Sequence, residues 1–436
     1  MTAKMSLRLH MLLGTALLLT GMLANPWVLE RWILVDERLT SKSWVLLANL
    51  ALAASGILIL RSAGRGRLSE PPAEPRRIAF AAAALTVSAI VALGGAELVL
   101  RAAVSSDFVL RGDAQREVRW RSRHAGGIVE AQIGYAFDEY DETLGWRPVA
   151  GYASKAVRTN ARGMRADREY SLAPEPGRRR IVVVGDSFAW GEEVNNSETL
   201  EAFLEHALPD SAVLNFAVHG TGTDQQLLRL RRDALPFAPD LVILGFFEDD
   251  LERNVMAFRD FAKPRFVLDG DRLRLTNVPV PAPQTVLSRP EPRPASFVLS
   301  LVRGVYDDVL DRTTFRPLST RESWRITRAL FGEARRDAEA SGARFLLAYF
   351  PKDVTARPDP LESLVLEWAG ATATPYVSIR PRLARQPKAE WPGLYRAIHL
   401  SPEGNRLAAD AIAEAIFEQH LLEPEASLTT PRPRAP

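Results

Sequence analysis

Arg178-Arg179-Arg180-Ile181-Val182-Val183-Val184-Gly185-Asp186-Ser187-Phe188 is the stretch on which the reading of the fold turns. Ile181 to Val184 form an unbroken run of β-branched residues that stops at a glycine. A short apolar run without polar alternation reads as a parallel strand buried on both faces. The three arginines before it read as a solvated loop. Gly185 and the small polar pair after it let the chain turn sharply at the strand's carboxyl end, which places the Ser187 hydroxyl at the rim of a sheet.

Working outward, the pattern repeats. Residues 198–208 read as an amphipathic helix, 212–218 as a strand, 223–235 as a helix and 241–247 as another buried strand. Residues 321–340 read as a long helix, 344–350 as a strand and 402–421 as a closing helix. Strands alternating with helices predict an α/β domain with a parallel central sheet, whose ligand sites lie at the carboxyl ends of the strands. Residues 251–320 interrupt the alternation with Pro-rich sequence, and Asp269-Gly270-Asp271 reads as the turn of a hairpin inside that insertion. Residues 102–170 read as an irregular lead-in that packs on the main domain, residues 171–424 as that domain, and residues 425–436 as a disordered tail.

The first 101 residues differ in kind. Residues 9–29, 43–60 and 78–96 contain no Asp, Glu, Lys or Arg, and each is long enough to cross a bilayer. Three transmembrane helices are therefore expected. Lys4 and Arg8 lie before the first span, and Arg61, Arg65, Arg67, Arg76 and Arg77 lie between the second and third. This bias puts both segments in the cytoplasm, and everything after Arg101 on the opposite face, the periplasm in a bacterium. The expected location is the bacterial inner membrane. Glu97, at the edge of the third span, reads as an interfacial pair with Arg101 four residues on.

Composition excludes several classes of function. With 55 basic and 53 acidic residues the net charge is +2, which leaves no strong field for nucleic acid. The absence of cysteine removes disulfides, thiolate metal sites and a Cys nucleophile. No cofactor is expected. Glu248-Asp249-Asp250 follow a predicted strand and carry a Mg²⁺ reading. No second acidic or histidine cluster with metal spacing supports it.

Ser187 needs a base. Of six histidines, His10 lies in the first span, His124 in the lead-in, and His206 and His420 on predicted helices. His219 and His399 remain. His399 precedes Ser401, an expected N-cap, and Pro402, an expected first helical residue, so it stands on the loop entering the last helix. His219 follows the second strand directly; it is the rival base, and the structural reading is preferred for it.

Together these blocks resemble the SGNH, or GDSL-type, hydrolase superfamily, and within it the membrane-tethered bacterial members. Gly185-Asp186-Ser187 is similar to the first block. Asn215-Phe216-Ala217-Val218-His219-Gly220 with Thr223-Asp224-Gln225 is similar to the second, Phe246-Phe247-Glu248-Asp249-Asp250 falls where the third belongs, and His399-Leu400-Ser401-Pro402-Glu403-Gly404 resembles the last. Gly145-Trp146 and Asn160-Ala161-Arg162-Gly163-Met164-Arg165 look like the lead-in. The resemblance implies a flavodoxin-like sheet, Ser187 as nucleophile, His399 as base, and an oxyanion site at the N–H groups of Ser187 and Gly220. Asp249 and Asp250 would shape that site, with Asp186, His219 and Asn254 behind them.

Two positions depart from the pattern. Asp249 stands where the third block supplies an Asn amide, and an ionised carboxylate only accepts hydrogen bonds. Burial beside Glu248 and Asp250 is one way to keep it protonated. Arg396 stands where the last block carries the Asp that orients the histidine, so a backbone carbonyl or another carboxylate, such as Asp250, must hold the imidazole. The leading expectation is an esterase or O-acyltransferase acting on acetyl or similar esters of an envelope glycan. A transferase with three spans would need a membrane partner to deliver acyl groups. The alternative is a catalytically degenerate scaffold that binds glycan or a partner protein.

Overall fold

The computed structural model describes residues 92–124, 137–313, 318–354 and 359–422, together with residues 14, 15, 17, 18, 50, 53–61, 89 and 90. Most residues of the three expected spans lie outside this set. Among the described residues no helix is long and apolar enough to cross a membrane. The chain divides into two compact units, one of residues 1–118 with 291–314, the other of residues 119–290 with 315–436.

Among the described residues the second unit holds nine strands: β1 Asp138–Asp141, β2 Gly145–Pro148, β3 Arg179–Val184, β4 Ser211–Asn215, β5 Leu241–Phe247, β6 Arg265–Asp269, β7 Arg272–Thr276, β8 Arg344–Phe350 and β9 Tyr376–Ser378. Five of them form a sheet in the order β4-β3-β5-β8-β9, parallel throughout. Successive side chains on a strand point to opposite faces. Val182, Val184, Val242 and Leu244 accordingly pack with Leu227 and Leu330 on one face, while Ile181, Val183, Leu241 and Ile243 pack with Leu204 and Ile412 on the other. Helices Thr223–Arg229 and Glu322–Ala340 cover the first face; Leu200–Ala207 and Pro402–Glu418 cover the second. β4 lies on one side of β3 and β5 on the other, so the strand order reverses at the carboxyl end of β3, where α/β sheets open a crevice.

The α/β expectation holds, with three corrections. Arg179 and Arg180 are the first residues of β3, not a solvated loop. Arg180 is buried and its guanidinium donates to the carbonyls of Phe237, Leu172 and Ala173, which closes the strand's entrance. The lead-in is more ordered than its polar sequence predicts, since β1 and β2 form an antiparallel hairpin and Trp146 is buried against Phe261 and Val218. The insertion does contain the expected hairpin, β6 with β7, turning at Gly270 with φ +62°. It also contains the helix Phe297–Thr313, which the Pro-rich reading missed.

That helix belongs to the first unit, together with a helical run over residues 92–103. Arg101 Nε donates to Glu97 Oε1 at 2.6 Å, the i,i+4 pair read from the sequence. The same carboxylate accepts from Phe297 N and Val298 N at 3.0 Å and from Ser296 Oγ at 2.8 Å. Glu97 therefore caps a helix 200 residues further along the chain.

Candidate active site

Gly185 ends β3 where no side chain fits. A Cβ there would stand 2.5 Å from Ala189 Cβ and 3.2 Å from the Gly245 carbonyl oxygen. Asp186 then caps the one-turn helix Ser187–Trp190, accepting from Phe188 N at 2.9 Å. Such a cap is worth about 1 kcal/mol. The turn fixes Ser187 as the first helical residue, 5% exposed, at the carboxyl end of the sheet.

At the far end of the chain, Tyr395 and Leu400 pair across a tight turn in which Arg396 N donates to the His399 carbonyl at 2.9 Å. Ser401 caps the last helix by accepting from Gly404 N at 3.2 Å. Gly404 lets the helix start against the chain, since a Cβ there would meet the Leu394 oxygen at 2.3 Å. This turn delivers His399 Nε2 to 2.9 Å from Ser187 Oγ. The imidazole also lies 5.1 Å, centroid to centroid, from the Phe188 ring, which stacks on Phe247.

The third member is a carboxylate, one of the two expected sources, but it is not Asp250. Glu193 Oε1 lies 3.1 Å from His399 Nδ1, and its Oε2 accepts from Ala397 N at 2.9 Å. Glu193 takes the left-handed conformation, φ +70°, two residues after Gly191 at φ +79°. A non-glycine residue held there costs about 1–3 kcal/mol and persists only where its surroundings impose it. Here the imposing groups are identifiable. Arg165, 1% exposed, donates to the carbonyls of Trp190, Gly191, Val194 and Ala156 and to Asn196 Oδ1, so one guanidinium grips the loop on both sides of Glu193. Beside it, Glu192 Oε2 is 3.8 Å from His399 Nε2. The sequence drew attention to the missing acid at Arg396; it did not draw attention to the two glutamates five and six residues past the serine.

The other predicted residues fall into different environments. Asp250 is fully buried and does not hold the imidazole. It pairs with Arg253 Nη1 at 2.9 Å and accepts from Gln226 Nε2 at 3.0 Å. Burial, and after it the Asp186 charge, push its carboxyl well above the usual range. Asp186 Oδ2 takes the same Arg253 nitrogen at 2.8 Å. Burial opposes the Arg253 charge, but Asp186 and Asp250 outweigh it and raise the guanidinium pKa. Asp249, by contrast, is not buried: its side chain is 51% exposed, 3.3 Å from Arg253 Nη2, so the burial invoked to keep it protonated is absent. Glu248 pairs with Lys352 at 3.0 Å. Asp249 and Asp250 thus share Arg253 while Glu248 turns to Lys352, and no cluster of three metal-ligating side chains occurs among the described residues.

His219 Nε2 pairs with Asp138 Oδ1 at 2.7 Å, both side chains 2% exposed, and its carbonyl accepts from Trp146 Nε1. Its role is to tie the β1–β2 hairpin to the loop after β4. Asn254 bridges two helices, donating to Thr327 Oγ1 at 2.8 Å and accepting from Asp224 N at 3.1 Å. Gly220, at φ +71°, has the Arg259–Asp260 ion pair packed over it; a Cβ would meet Arg259 Nη1 at 2.6 Å.

With a hydroxyl, an imidazole and a carboxylate in line, the imidazole can take the hydroxyl's proton while the carboxylate steadies the imidazolium, which raises the nucleophilicity of the hydroxyl. The sequence profile described as "GDSL-like Lipase/Acylhydrolase family" matches residues 183–407, just over half of the chain. No curated protein matches it. Among solved structures, TesA is 16% identical, covering 56% of this chain and all of its own, with a TM-score of 0.34. A catalytic mutant of Axe2, an acetylxylan esterase from Geobacillus stearothermophilus, is 13% identical over 55% of this chain and 94% of its own, with a TM-score of 0.33. The psychrotrophic esterase EstA from Pseudoalteromonas sp. is 12% identical over 56% and 98%, with a TM-score of 0.32.

Proposed function

The chain belongs to the GDSL-like lipase/acylhydrolase family, and from that premise we propose that it is a serine esterase or O-acyltransferase working through Ser187, His399 and Glu193. The observation that carries the proposal is the contact of 2.9 Å between Ser187 Oγ and His399 Nε2, with Glu193 on the opposite ring nitrogen. Ser187 Oγ attacks the acyl carbon as its proton passes to Nε2. Glu193 steadies the imidazolium that forms. The N–H groups of Ser187 and Gly220 receive the oxyanion, Nε2 then returns the proton to the leaving alkoxide, and the acyl group remains on Ser187. Attack on that acyl-enzyme by water gives hydrolysis; attack by a second hydroxyl gives transfer.

The charge-free segments at residues 9–29, 43–60 and 78–96 support an inner-membrane anchor with the enzymatic unit in the periplasm. In that setting the substrate is an acetyl or similarly small ester of an envelope glycan. Transfer rather than hydrolysis would require a membrane partner to supply the acyl group.

A fluorophosphonate should label the wild-type chain at Ser187 and leave Ser187→Ala unlabelled, with aryl acetate hydrolysis lost in parallel. Equal labelling of both forms removes the nucleophile assignment. One feature favours a second reading, a binding scaffold without turnover: the exposed carboxylate of Asp249 at the position where the resemblance calls for an amide donor. Absence of any aryl acetate turnover in both wild type and Asp249→Asn would favour that reading.

A further inference from the structure

The helix Phe297–Thr313 presents two different faces. Phe297 is 6% exposed and Gly304 is buried; a Cβ on Gly304 would stand 3.1 Å from Arg111 Nη2. On the outer side, Leu299 is 66% exposed, Val302 60%, Val305 52% and Tyr306 64%. At 3.6 residues per turn these four side chains occupy one continuous stripe about 120° wide. Arg303 and Asp307 flank the stripe as an exposed i,i+4 pair, 3.8 Å apart. An apolar stripe with charge along its edge is the pattern of a helix that rests in a membrane–water boundary.

A face of this kind acquires an occupant only from something beside it, and here the helix is tied to a defined place. Glu97 caps its first turn through Phe297 N, Val298 N and Ser296 Oγ. Arg101 adds a bond to the Ala295 carbonyl at 2.8 Å and lies 5.7 Å from the Phe297 ring centroid. Glu97 is the residue after the third charge-free segment, residues 78–96, and its carboxyl is held down at about 2 by the Val298 and Phe297 N–H groups. A carboxylate held by three donors outside the charge-free segment is costly to bring into hydrocarbon, so Glu97 fits the water boundary of a span ending beside it. The helix therefore starts at bilayer level. Within the same helical run as Glu97, Leu93 and Leu98 are 57% and 70% exposed, which continues the apolar surface towards the span.

We propose that the helix Phe297–Thr313 is an interfacial anchor, lying on the outer leaflet with Leu299, Val302, Val305 and Tyr306 against the acyl chains and its first turn pinned by Glu97 to the end of the third span. The inference rests on the membrane reading of the preceding subsection. Its 17 residues make a bar about 25 Å long. Its consequence is that part of the insertion interrupting the catalytic sequence is itself seated on the bilayer.

The chain has no cysteine, which makes the test direct. Single variants Leu299→Cys, Val302→Cys and Tyr306→Cys, with Asp307→Cys as the water-side control and Leu93→Cys as the span control, are labelled with an environment-sensitive fluorophore. The full chain is reconstituted in vesicles of phosphatidylethanolamine and phosphatidylglycerol, without quencher, with lipids carrying a quencher near the headgroup, and with lipids carrying one deep in the acyl chains. Thermal unfolding checks that each labelled variant is folded. The expected result is a blue-shifted signal at 299, 302 and 306, quenched several-fold more strongly than at 307. If 299, 302 and 306 behave like 307 while the label at 93 is quenched by deep probes, the interfacial helix is overturned and the span stands. A blue shift at the three sites without lipid quenching assigns the face to a protein and also overturns the proposal. If the label at 93 is not quenched either, the membrane reading itself falls, and this inference with it.

Discussion

Glu193 Oε1 and His399 Nδ1 meet at 3.1 Å although 206 residues separate them in the chain. The contact relocates a function. Where the family resemblance leads one to look for an acid just before the histidine, the chain has exposed Arg396, and the carboxylate comes instead from the loop that follows the nucleophile. Placing both acid and nucleophile on one loop makes their spacing a matter of local backbone geometry. The left-handed φ of Glu193 and the grip of Arg165 are what hold that geometry.

Replacing Glu193 by Gln should lower kcat for aryl acetates by about 10²–10⁴-fold with little change in KM, because the amide retains the shape but not the charge that stabilises the imidazolium. Adding Arg396→Asp, which restores an acid three residues before His399, should recover part of the loss. A Glu193→Gln enzyme with wild-type kcat would reduce the apparatus to a Ser187–His399 pair.

Some of this arrangement was legible and some was not, for identifiable reasons. β5 and β8 appear where the sequence puts them because both are apolar runs buried on two faces, β8 from Phe345 onward. The last helix begins at Pro402 as its Ser401 cap foretells. The β1–β2 hairpin was invisible because Asp138-Glu139-Tyr140-Asp141 carries charges that pair outward, Glu139 with Arg147 and Asp141 with Arg232, so the strand lacks apolar alternation. Ser187 and His399 could be named from their places at the ends of elements. Glu193 could not, since nothing in its local sequence marks a glutamate as facing a turn two hundred residues away. The missing acid before His399 was the one available clue, and it told only that a substitute was needed.

Arg165 serves the loop rather than the chemistry. Changing it to Ala would leave several buried carbonyls without a donor, each at about 1–3 kcal/mol. A loss near 3 kcal/mol corresponds to a fall in Tm of roughly 6–12 °C for a unit of this size. If the guanidinium also positions Glu193, Arg165→Lys should regain more Tm than kcat, because one ammonium can satisfy fewer carbonyls than the planar fork. Equal recovery of both would assign Arg165 to stability alone.

Glu201 gives the fold a pH dependence of its own. Burial pushes its carboxyl up from 4.5 to about 7, against the pull of Arg165. Between those values the folded chain keeps a proton that the unfolded chain has released. Stability therefore declines as pH rises through that window, and the loss is complete above about 7. Glu201→Gln removes the ionisation. Relative to wild type, the variant should gain about 3 kcal/mol on going from pH 4 to pH 8, read from urea unfolding of the two proteins side by side. Parallel stability curves over that range would show that Glu201 ionises normally.

Asp249 is where a single substitution should improve the enzyme. Its carboxylate is half exposed and contacts Arg253 at only 3.3 Å, a pair worth about 0–1 kcal/mol, so its loss should leave Tm within a few degrees. If residue 249 faces the proposed oxyanion site, an amide there could donate to the oxyanion, which a carboxylate would repel. One such donor contributes up to about 2.7–4 kcal/mol to the transition state, so Asp249→Asn should raise kcat at neutral pH by about tenfold or more, with a ceiling near 10³. Rates that are unchanged or lower in Asp249→Asn, across pH 5 to 8, would show that residue 249 does not face the oxyanion, and that the donor set consists of backbone groups.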